Sequence, residues 1–485
     1  MSSTPPVTMQ PMPTSQEVPL CVDCDGTLIR TDLLHESVLL LLGSAPWRLL
    51  WLPLWLARGK AYLKERLAQA VRFDWSTLPM REEVVDRVRD ARANGRRVVL
   101  ATASHRLLAE GLAAHHGLFD EVLATDDGVN LSGQRKADEL VARFGAHGFD
   151  YVGNEHRDLP IWAAARKAVV VTSSAGLTQA AREVAEVEQV IEDPRGGLRA
   201  YLRALRLHQW LKNLLVFVPL VAAHQIMSGP GLLQAMLAFL AFGLVASSVY
   251  VLNDLCDLAS DRRHIRKRRR PFASGLIPVS HGVVLIPALL LAGAVVSAWL
   301  PPMFQGVLAG YFLATLAYSL FLKRRVIVDV LMLAGLYTLR VIAGGAATAI
   351  VPSFWLLAFS MFIFLSLAMV KRYSELLVTL QQHQEKAAGR GYSVQDLPVL
   401  MSIGSGSGLL AVLVFALYIN NPSSGVHYEQ PLWLWLVPPI LLYWVSRLWM
   451  KTHRGEIDDD PVVFTLKDWQ SLLAAAIFAL LFGLA

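Results

Sequence analysis

Asn253-Asp254-Leu255-Cys256-Asp257-Leu258-Ala259-Ser260-Asp261 closes an apolar run and opens directly onto Arg262, Arg263, Arg266, Lys267, Arg268, Arg269 and Arg270. Its three aspartates are spaced by three and four residues, which lines them along one face of a helix. Carboxylates at the water end of a membrane helix are costly unless they face a cavity or hold a cation. Hard oxygen ligands beside arginines suit a magnesium-bound diphosphate, since Mg2+ takes oxygen ligands and guanidinium groups bind phosphate. The plainer alternative is a solvated, charged loop. The spacing and the basic tail favour a site, with Asn253, Asp254, Asp257 and Asp261 as metal ligands and Arg266 and Lys267 beside the bound anion.

Outward from this stretch, composition sets the frame. The chain has 485 residues, 54% hydrophobic and 17% charged, too apolar for one soluble domain and long enough for two. Its formal charge of +6 comes largely from short basic loops between apolar spans. That pattern describes membrane topology rather than nucleic-acid binding, and no nucleic-acid partner is expected. Cys21, Cys24 and Cys256 form no even framework. The spacing of Cys21 and Cys24 is a weak redox or zinc signal without partner cysteines, and a reducing, cytosol-facing location is the simpler inference. Residues 1–17 read as a disordered tail with no cleaved signal peptide.

Residues 18–195 alternate strand-like and helix-like patterns, as in VPLCVD, RRVVLATAS, FDYVGN and AVVVTS. This predicts an α/β, Rossmann-like domain with a helical cap. A hinge follows at Asp193-Pro194-Arg195-Gly196-Gly197. Residues 196–485 then form an all-α polytopic domain. Its nine expected spans lie near 211–227, 231–252, 280–300, 303–322, 327–349, 353–370, 398–419, 431–449 and 468–485. Most approach the ~20 residues needed to cross the hydrocarbon core.

Loop charge orients these spans. Lys323, Arg324 and Arg325 follow the fourth; Lys371, Arg372, Lys386 and Arg390 the sixth; Lys451, Arg454 and Lys467 the eighth. The loops near 228, 301, 351 and 420–430 carry no Lys or Arg. The positive-inside rule therefore predicts a cell (inner or plasma) membrane protein with its N-terminal domain cytoplasmic and its C-terminus outside. The apolar segment 39–57 imitates a further span, but Pro46, Arg48 and Pro53 interrupt it. Crossing there would separate Asp23 from the later strands, so it reads as cap helices, either buried or lying on the membrane surface.

Cys21-Val22-Asp23-Cys24-Asp25-Gly26-Thr27 follows an apolar strand, so two aspartates project from its end beside a glycine turn. The stretch resembles the first motif, DxDGT, of the haloacid dehalogenase superfamily. Thr102, ending the strand-like run 98–101, is similar to the hydroxyl of its second motif, and Lys136, before a helix, to its phosphate-binding lysine. Gly153-Asn154-Glu155-His156-Arg157-Asp158 resembles its acidic fourth motif, with Asn154 where many members carry an acid. The resemblance implies Asp23 as a nucleophile forming an aspartyl-phosphate and Asp25 as general acid/base. Thr102 and Lys136 would hold phosphoryl oxygens, and Asp23 with Asp158 would hold Mg2+. The alternative is a degenerate domain with a structural role.

The remaining residues resemble the UbiA superfamily of intramembrane transferases, through the expected nine helices and the NDxxDxxxD pattern at 253–261. Members ordinarily move a prenyl group from a diphosphate to an acceptor, with two aspartate-rich motifs holding Mg2+. Where the second is expected, this chain reads Lys371-Arg372-Tyr373-Ser374-Glu375-Leu376. One acidic and one basic pole suit a metal-bound diphosphate and a bare phosphate. Lys212 and Asn213 at the first span, Tyr318 and Lys323 after the fourth, and Arg340 inside the fifth resemble the branch that contains decaprenyl-phosphate phosphoribosyltransferase. An arginine deep in a span is costly and needs a partner or a function; an interhelical ion pair is the alternative for Arg340, and a topogenic charge for Lys323. The glycines of Gly404-Ser405-Gly406-Ser407-Gly408 read as close helix contacts rather than a phosphate loop.

The resemblance implies transfer of 5-phosphoribose from phosphoribosyl pyrophosphate to a polyprenyl phosphate, with Mg2+ as cofactor and Lys371, Arg372 and Lys212 orienting the lipid phosphate. The alternatives are prenyl transfer from a polyprenyl diphosphate to an aromatic acceptor such as 4-hydroxybenzoate, and a non-catalytic carrier of lipid phosphates.

Overall fold

The computed structural model describes residues 18–126, 128–194, 196–264, 266–383, 385, 391–421, 430–457 and 461–485. The expected tail 1–17, Arg195 of the hinge, Lys386, Arg390 and most of the 420–430 loop lie outside these. The chain forms two compact units: one runs to Leu205 and takes in Tyr250–Ile286, and the other comprises Arg206–Val249 and Pro287–Ala485. The aspartate-rich stretch therefore belongs to the same unit as the α/β domain.

That domain is built on a six-stranded sheet ordered β3-β2-β1-β4-β5-β6, every neighbouring pair parallel. The strands are β1 (Leu20–Val22), β2 (Val98–His105), β3 (Glu121–Thr125), β4 (Asp150–Gly153), β5 (Lys167–Val171) and β6 (Val187–Ile191). Parallel strands covered on both faces read as continuous apolar runs, as β1 and β5 do. Alternate residues feed two cores: Leu20, Val22, Val98 and Leu100 on one face, Cys21, Val99, Ala101 and Tyr151 on the other. The strand order reverses beside β1, and ligands of such sheets bind outside the carboxyl ends at that switch point. Asp23 and the turn after Gly153 follow β1 and β4 directly, and Thr102 lies in β2 just past the residues that pair with β1.

The segment 39–57 falls between β1 and β2 and is broken, as its prolines dictate, into Leu33–Ser44, a 3-10 turn Pro46–Trp51 and Leu52–Ala57. Leu41 packs into a small core with Leu67 and Val71, while Trp47, Leu50, Trp51, Leu54 and Leu56 remain exposed.

Among the described residues, seven helices are long and apolar enough to cross a bilayer: Gly229–Cys256, Val279–Ser297, Pro302–Leu320, Val328–Thr348, Phe354–Gln381, Val394–Ile419 and Leu432–His453. Pro461–Lys467 and Trp469–Leu484, bent by 81°, make an eighth if counted as one span. The first expected span differs. It is a 3-10 segment, Leu207–Phe217, followed by the five-residue helix Val218–Ala222. Pro219 has no N–H to continue an α-helical ladder. The segment also lies so close to Val328–Thr348 that a Cβ on Gly344 would stand 2.0 Å from the Val216 carbonyl oxygen. In the second unit the core gathers Val341, Phe364, Met369, Leu400 and Trp449. A Cβ on Gly404 or Gly408 would collide with Trp449 or Val445, so these two glycines do permit close helix approach.

Candidate active sites

In the α/β domain the strand ends bring Asp23, Asp25, Thr102, Lys136 and Asp158 together. Lys136 Nζ donates to Asp23 Oδ1 at 2.7 Å and to the Tyr151 hydroxyl at 3.0 Å, and Tyr151 donates to Asp158 Oδ1 at 3.1 Å. Asp158 Oδ2 accepts from the amides of Asn154 and Glu155 at 2.9 and 3.0 Å, closing the turn after β4. The Thr27 hydroxyl stands 3.0 Å from Asn154 Oδ1 and 3.4 Å from Asp23 Oδ2. Gly26, at φ +75°, makes this approach feasible, since a Cβ there would sit 2.3 Å from Asn154 Nδ2.

Asp25 accepts from Ser104 Oγ at 2.6 Å and from the Leu33 amide at 2.8 Å, with Thr102 Oγ1 at 3.5 Å. Burial pushes Asp23 up to about 6 against the lowering pull of Lys136, and pushes Asp25 up to about 7 with Asp32 adding to the rise. A carboxyl held near neutrality suits proton transfer at working pH. From the cap, Lys64 Nζ donates to the Ala103 carbonyl at 2.6 Å and to Asn130 Oδ1 at 2.8 Å. Neither Ser104 nor Lys64 stands out in the sequence; only the turn of β2 and the fold of the cap bring them here.

These oxygens fit a hard divalent cation. Three carboxyl groups, Asp23, Asp25 and Asp158, gather here, and Lys136 bonds one of them directly. No cluster of three or more His, Cys, Asp or Glu side chains able to hold a metal exists among the described residues; the Asn154 amide oxygen, which accepts from Thr27, stands where many relatives carry an acid.

In the aspartate-rich stretch, helix Gly229–Cys256 gives way at Asp257 (φ −98°, ψ 11°) to the short helix Leu258–Arg263. Asp254 and Asp261 are buried and turn toward one point, the Nη1 of Arg270, at 3.1 and 2.6 Å. Asn253 and Asp257 are half-buried, and Arg266 and Lys267 are exposed. Two carboxylates converging on one cationic nitrogen define a place that selects positive charge, and among the described residues no third His, Cys, Asp or Glu joins them in a cluster able to hold a metal. Arg270 was legible as part of a basic run, not as their shared partner.

In the second unit Lys212, Asn213 and Arg340 come together. Arg340 Nε donates to Asn213 Oδ1 at 2.9 Å, Nη2 to the Tyr311 hydroxyl at 2.9 Å, and Nη1 to the Leu336 carbonyl at 2.6 Å. The Tyr337 ring lies 5.6 Å from the Arg340 guanidinium and 5.7 Å from Lys212 Nζ, within cation–π range. Neutral oxygens and ring faces thus hold this buried cation in place of the ion pair weighed above. Tyr318 and Lys323 are half-buried around the end of helix Pro302–Leu320. Lys371 is half-buried, whereas Arg372 is fully buried. Arg372 Nη2 lies 2.6 Å from Asp329 Oδ2, its Nη1 pairs with Glu375, and Tyr392 donates to Asp329 Oδ1 at 2.6 Å.

The model of the UbiA prenyltransferase family matches residues 214–480, more than half of the chain. The chain belongs to the UbiA prenyltransferase family. This family member carries at its N-terminus a haloacid dehalogenase-like hydrolase domain, matched over residues 20–163. It is a multi-pass membrane enzyme. The uncharacterized protein y4nM of Sinorhizobium fredii is 36% identical over 473 residues, 97% of this chain and 91% of that protein, so the similarity runs through both parts. The nodulation protein NoeC of Azorhizobium caulinodans is 35% identical over 276 residues, 56% of this chain and 89% of its own length. The decaprenyl-phosphate phosphoribosyltransferase of Mycolicibacterium smegmatis is 35% identical over 199 residues, 39% of this chain and 61% of that enzyme.

Proposed function

We propose that this UbiA family member transfers 5-phosphoribose from phosphoribosyl pyrophosphate to a polyprenyl phosphate, and that its hydrolase domain removes the 5-phosphate. The convergence of Asp254 and Asp261 on one cationic point carries the reading, and the similarity to decaprenyl-phosphate phosphoribosyltransferase supports the choice of substrates. Mg2+ bound by Asp254, Asp257, Asp261 and Asn253 would supply positive charge to the departing diphosphate. Arg266 and Lys267 add charge for the donor. Lys212 and Lys371 are assigned to the lipid phosphate. Arg372 acts indirectly, by fixing Asp329 and Glu375, and Arg340 by fixing Asn213 and Tyr311. Tyr318 and Lys323 line the same acceptor region in this reading. A lipid phosphate oxygen bonds to the anomeric carbon while the bond to diphosphate breaks, its electron pair leaving with the diphosphate. An anionic nucleophile needs no strong base, so positioning dominates.

In the hydrolase domain, Asp23 attacks the phosphorus and Asp25 protonates the departing ribose oxygen, then accepts a proton from the water that cleaves the aspartyl-phosphate. Lys136 and Thr102 hold phosphoryl oxygens. Asp23 and Asp158 would hold Mg2+, whose charge would be supplied to the phosphoryl oxygens, while Tyr151 and the 154–155 amides fix Asp158 in place. The same reading keeps nine crossings, with Leu207–Ala222 as a short first one, and places the hydrolase domain in the cytoplasm.

The test offers purified protein and Mg2+ two substrate pairs: phosphoribosyl pyrophosphate with polyprenyl phosphate, and prenyl diphosphate with 4-hydroxybenzoate. Ribosylated lipid from the first pair is the expected product. Prenylated benzoate from the second replaces the reading with aromatic prenyl transfer, and lipid binding without diphosphate release from either pair leaves a carrier.

A further inference from the structure

The basic run after Asp261 has a second face. Helix Leu258–Arg263 and the 3-10 turn Lys267–Arg269 form one wall of a cleft of about 430 Å3, and the 76–79 loop of the α/β domain forms the other. Four guanidinium groups line it: Arg262, Arg263, Arg268 and Arg269. Arg262 is committed to Glu36 and Arg263 to Asp74. Arg268 and Arg269 are exposed, and no carboxylate among the described residues pairs with either. Arginines placed only to orient a membrane protein need no concave surface and no opposing wall. Here the two remaining guanidinium groups, Arg268 and Arg269, share a partly enclosed space, which is unfavourable until an anion enters. The planar guanidinium fork matches phosphate oxygens.

We propose that this cleft binds a multiply charged phosphate anion, a diphosphate or a phosphomonoester, at a site distinct from the aspartate cluster. The two are adjacent in the chain, because the turn that sends Arg268 and Arg269 to the cleft delivers Arg270 to Asp254 and Asp261. The assignment deepens the transferase reading and rests on it for the origin of the anion. A diphosphate leaving the aspartates meets the cleft as its next concentration of positive charge, and a phosphorylated lipid headgroup offers the same chemistry.

The experiment uses the full-length protein in detergent with a chelator present, so that metal-dependent binding at the aspartates is silent. Calorimetric titration with inorganic diphosphate, and separately with dodecyl phosphate, separates free from lipid-borne phosphate. Binding that survives Asp254→Asn and weakens roughly tenfold or more in Arg268→Gln/Arg269→Gln supports the cleft, and the probe that binds identifies the source. Binding that is unchanged in the arginine variant, or lost in Asp254→Asn, overturns it, as does no binding of either probe. Both arginines are exposed, and unchanged melting of the variant excludes a folding defect. Arginine-dependent binding in a protein that releases no diphosphate from any donor would keep the cleft and remove the transferase reading.

Discussion

Arg262 grips Glu36 at two points, Nη2 to Oε1 at 2.6 Å and Nη1 to Oε2 at 3.2 Å, with 6% of each side chain exposed. Arg262 directly follows Asp261, and its Nε also donates to the Ala273 carbonyl at 3.1 Å. Glu36 lies in the first turn of helix Leu33–Ser44, whose first amide donates to Asp25, and it accepts from Thr31 at 2.7 Å. A short covalent and hydrogen-bonded path therefore joins the aspartate-rich stretch to the acid/base candidate of the hydrolase domain.

A buried ion pair is weak evidence of net stability, but removing one partner strands the other charge. Glu36→Ala should destabilise the protein by about 3–5 kcal/mol, read as a fall in the first thermal transition in detergent. Glu36→Leu with Arg262→Met should lose much less. A single substitution as mild as the double one would show that the pair does not anchor the 253–263 stretch.

For the transferase, Asp254→Asn keeps size and hydrogen bonding while removing charge. Diphosphate release should drop by a factor on the order of a hundred or more, comparable to losing one preorganised electrostatic group, with melting nearly unchanged. Near-normal turnover at limiting Mg2+ would take the metal role away from Asp254.

Much of this was readable from sequence where the relevant contacts are local. Asp23 follows one apolar run and Thr102 another, so their meeting follows once the sheet is parallel, although β2 continues past Thr102 to His105. The spacing of Asp254 and Asp261 brought them together on one expected helix, but the helix breaks at Asp257 and they meet across that break at Arg270. Glu36 and Arg262 are 226 positions apart, and no periodicity relates them. Arg372 was legible as a charge, but Asp329 lies on another helix and its pairing depends on packing. The shortness of Leu207–Ala222 escaped because hydropathy registers apolar content, not the break that Pro219 imposes or the close approach that Gly344 allows.

Lys371 and Arg372 are neighbours in sequence with different surroundings, and their variants should separate. Lys371→Met should mainly raise KM for the lipid phosphate, leaving KM for the ribosyl donor nearly unchanged. Arg372→Met leaves Asp329 buried without its cation and should lower stability by about 3 kcal/mol or more. Thermal melting alongside substrate titrations checks both. Equal loss for both substrates in Lys371→Met would argue for a shared or structural role.

Acid should weaken the α/β domain through Asp150. Burial alone would raise its pKa, but hydrogen bonds from Arg166 at 2.7 and 2.9 Å and from Arg96 at 2.5 Å hold it below the ordinary carboxylate value. A depressed folded-state pKa contributes stability above the unfolded value of about 3.9, and that contribution disappears as pH falls through the folded value. Wild type should therefore lose stability steeply below about pH 4, while Asp150→Asn should be weaker at neutral pH and flatter in that range. Circular dichroism melts from neutral to acid pH check this, and parallel curves for the two proteins would remove Asp150 from the acid response.

The hydrolase domain should act on what the transferase makes. Phosphoribosyl transfer leaves a lipid-linked ribose that still carries a phosphate, and a phosphatase in the same chain meets that product at a raised effective concentration when its linker permits. Asp23 is placed for attack: it is buried, held by Lys136 at 2.7 Å and flanked by Asp25, which Ser104 and the Leu33 amide fix in position. Asp23→Asn removes the nucleophile and keeps the shape of the site. Supplied with phosphoribosyl pyrophosphate and polyprenyl phosphate, the variant should accumulate phosphorylated lipid-linked ribose while diphosphate release continues at the wild-type rate. Wild type should release inorganic phosphate as well and accumulate the dephosphorylated lipid. Identical phosphorylated products from the two proteins would end the coupling and leave the domain acting on another phosphorylated metabolite, or on none. Loss of diphosphate release in Asp23→Asn would instead point back to the Glu36–Arg262 path, through which a disturbance at the strand end can reach Asp261.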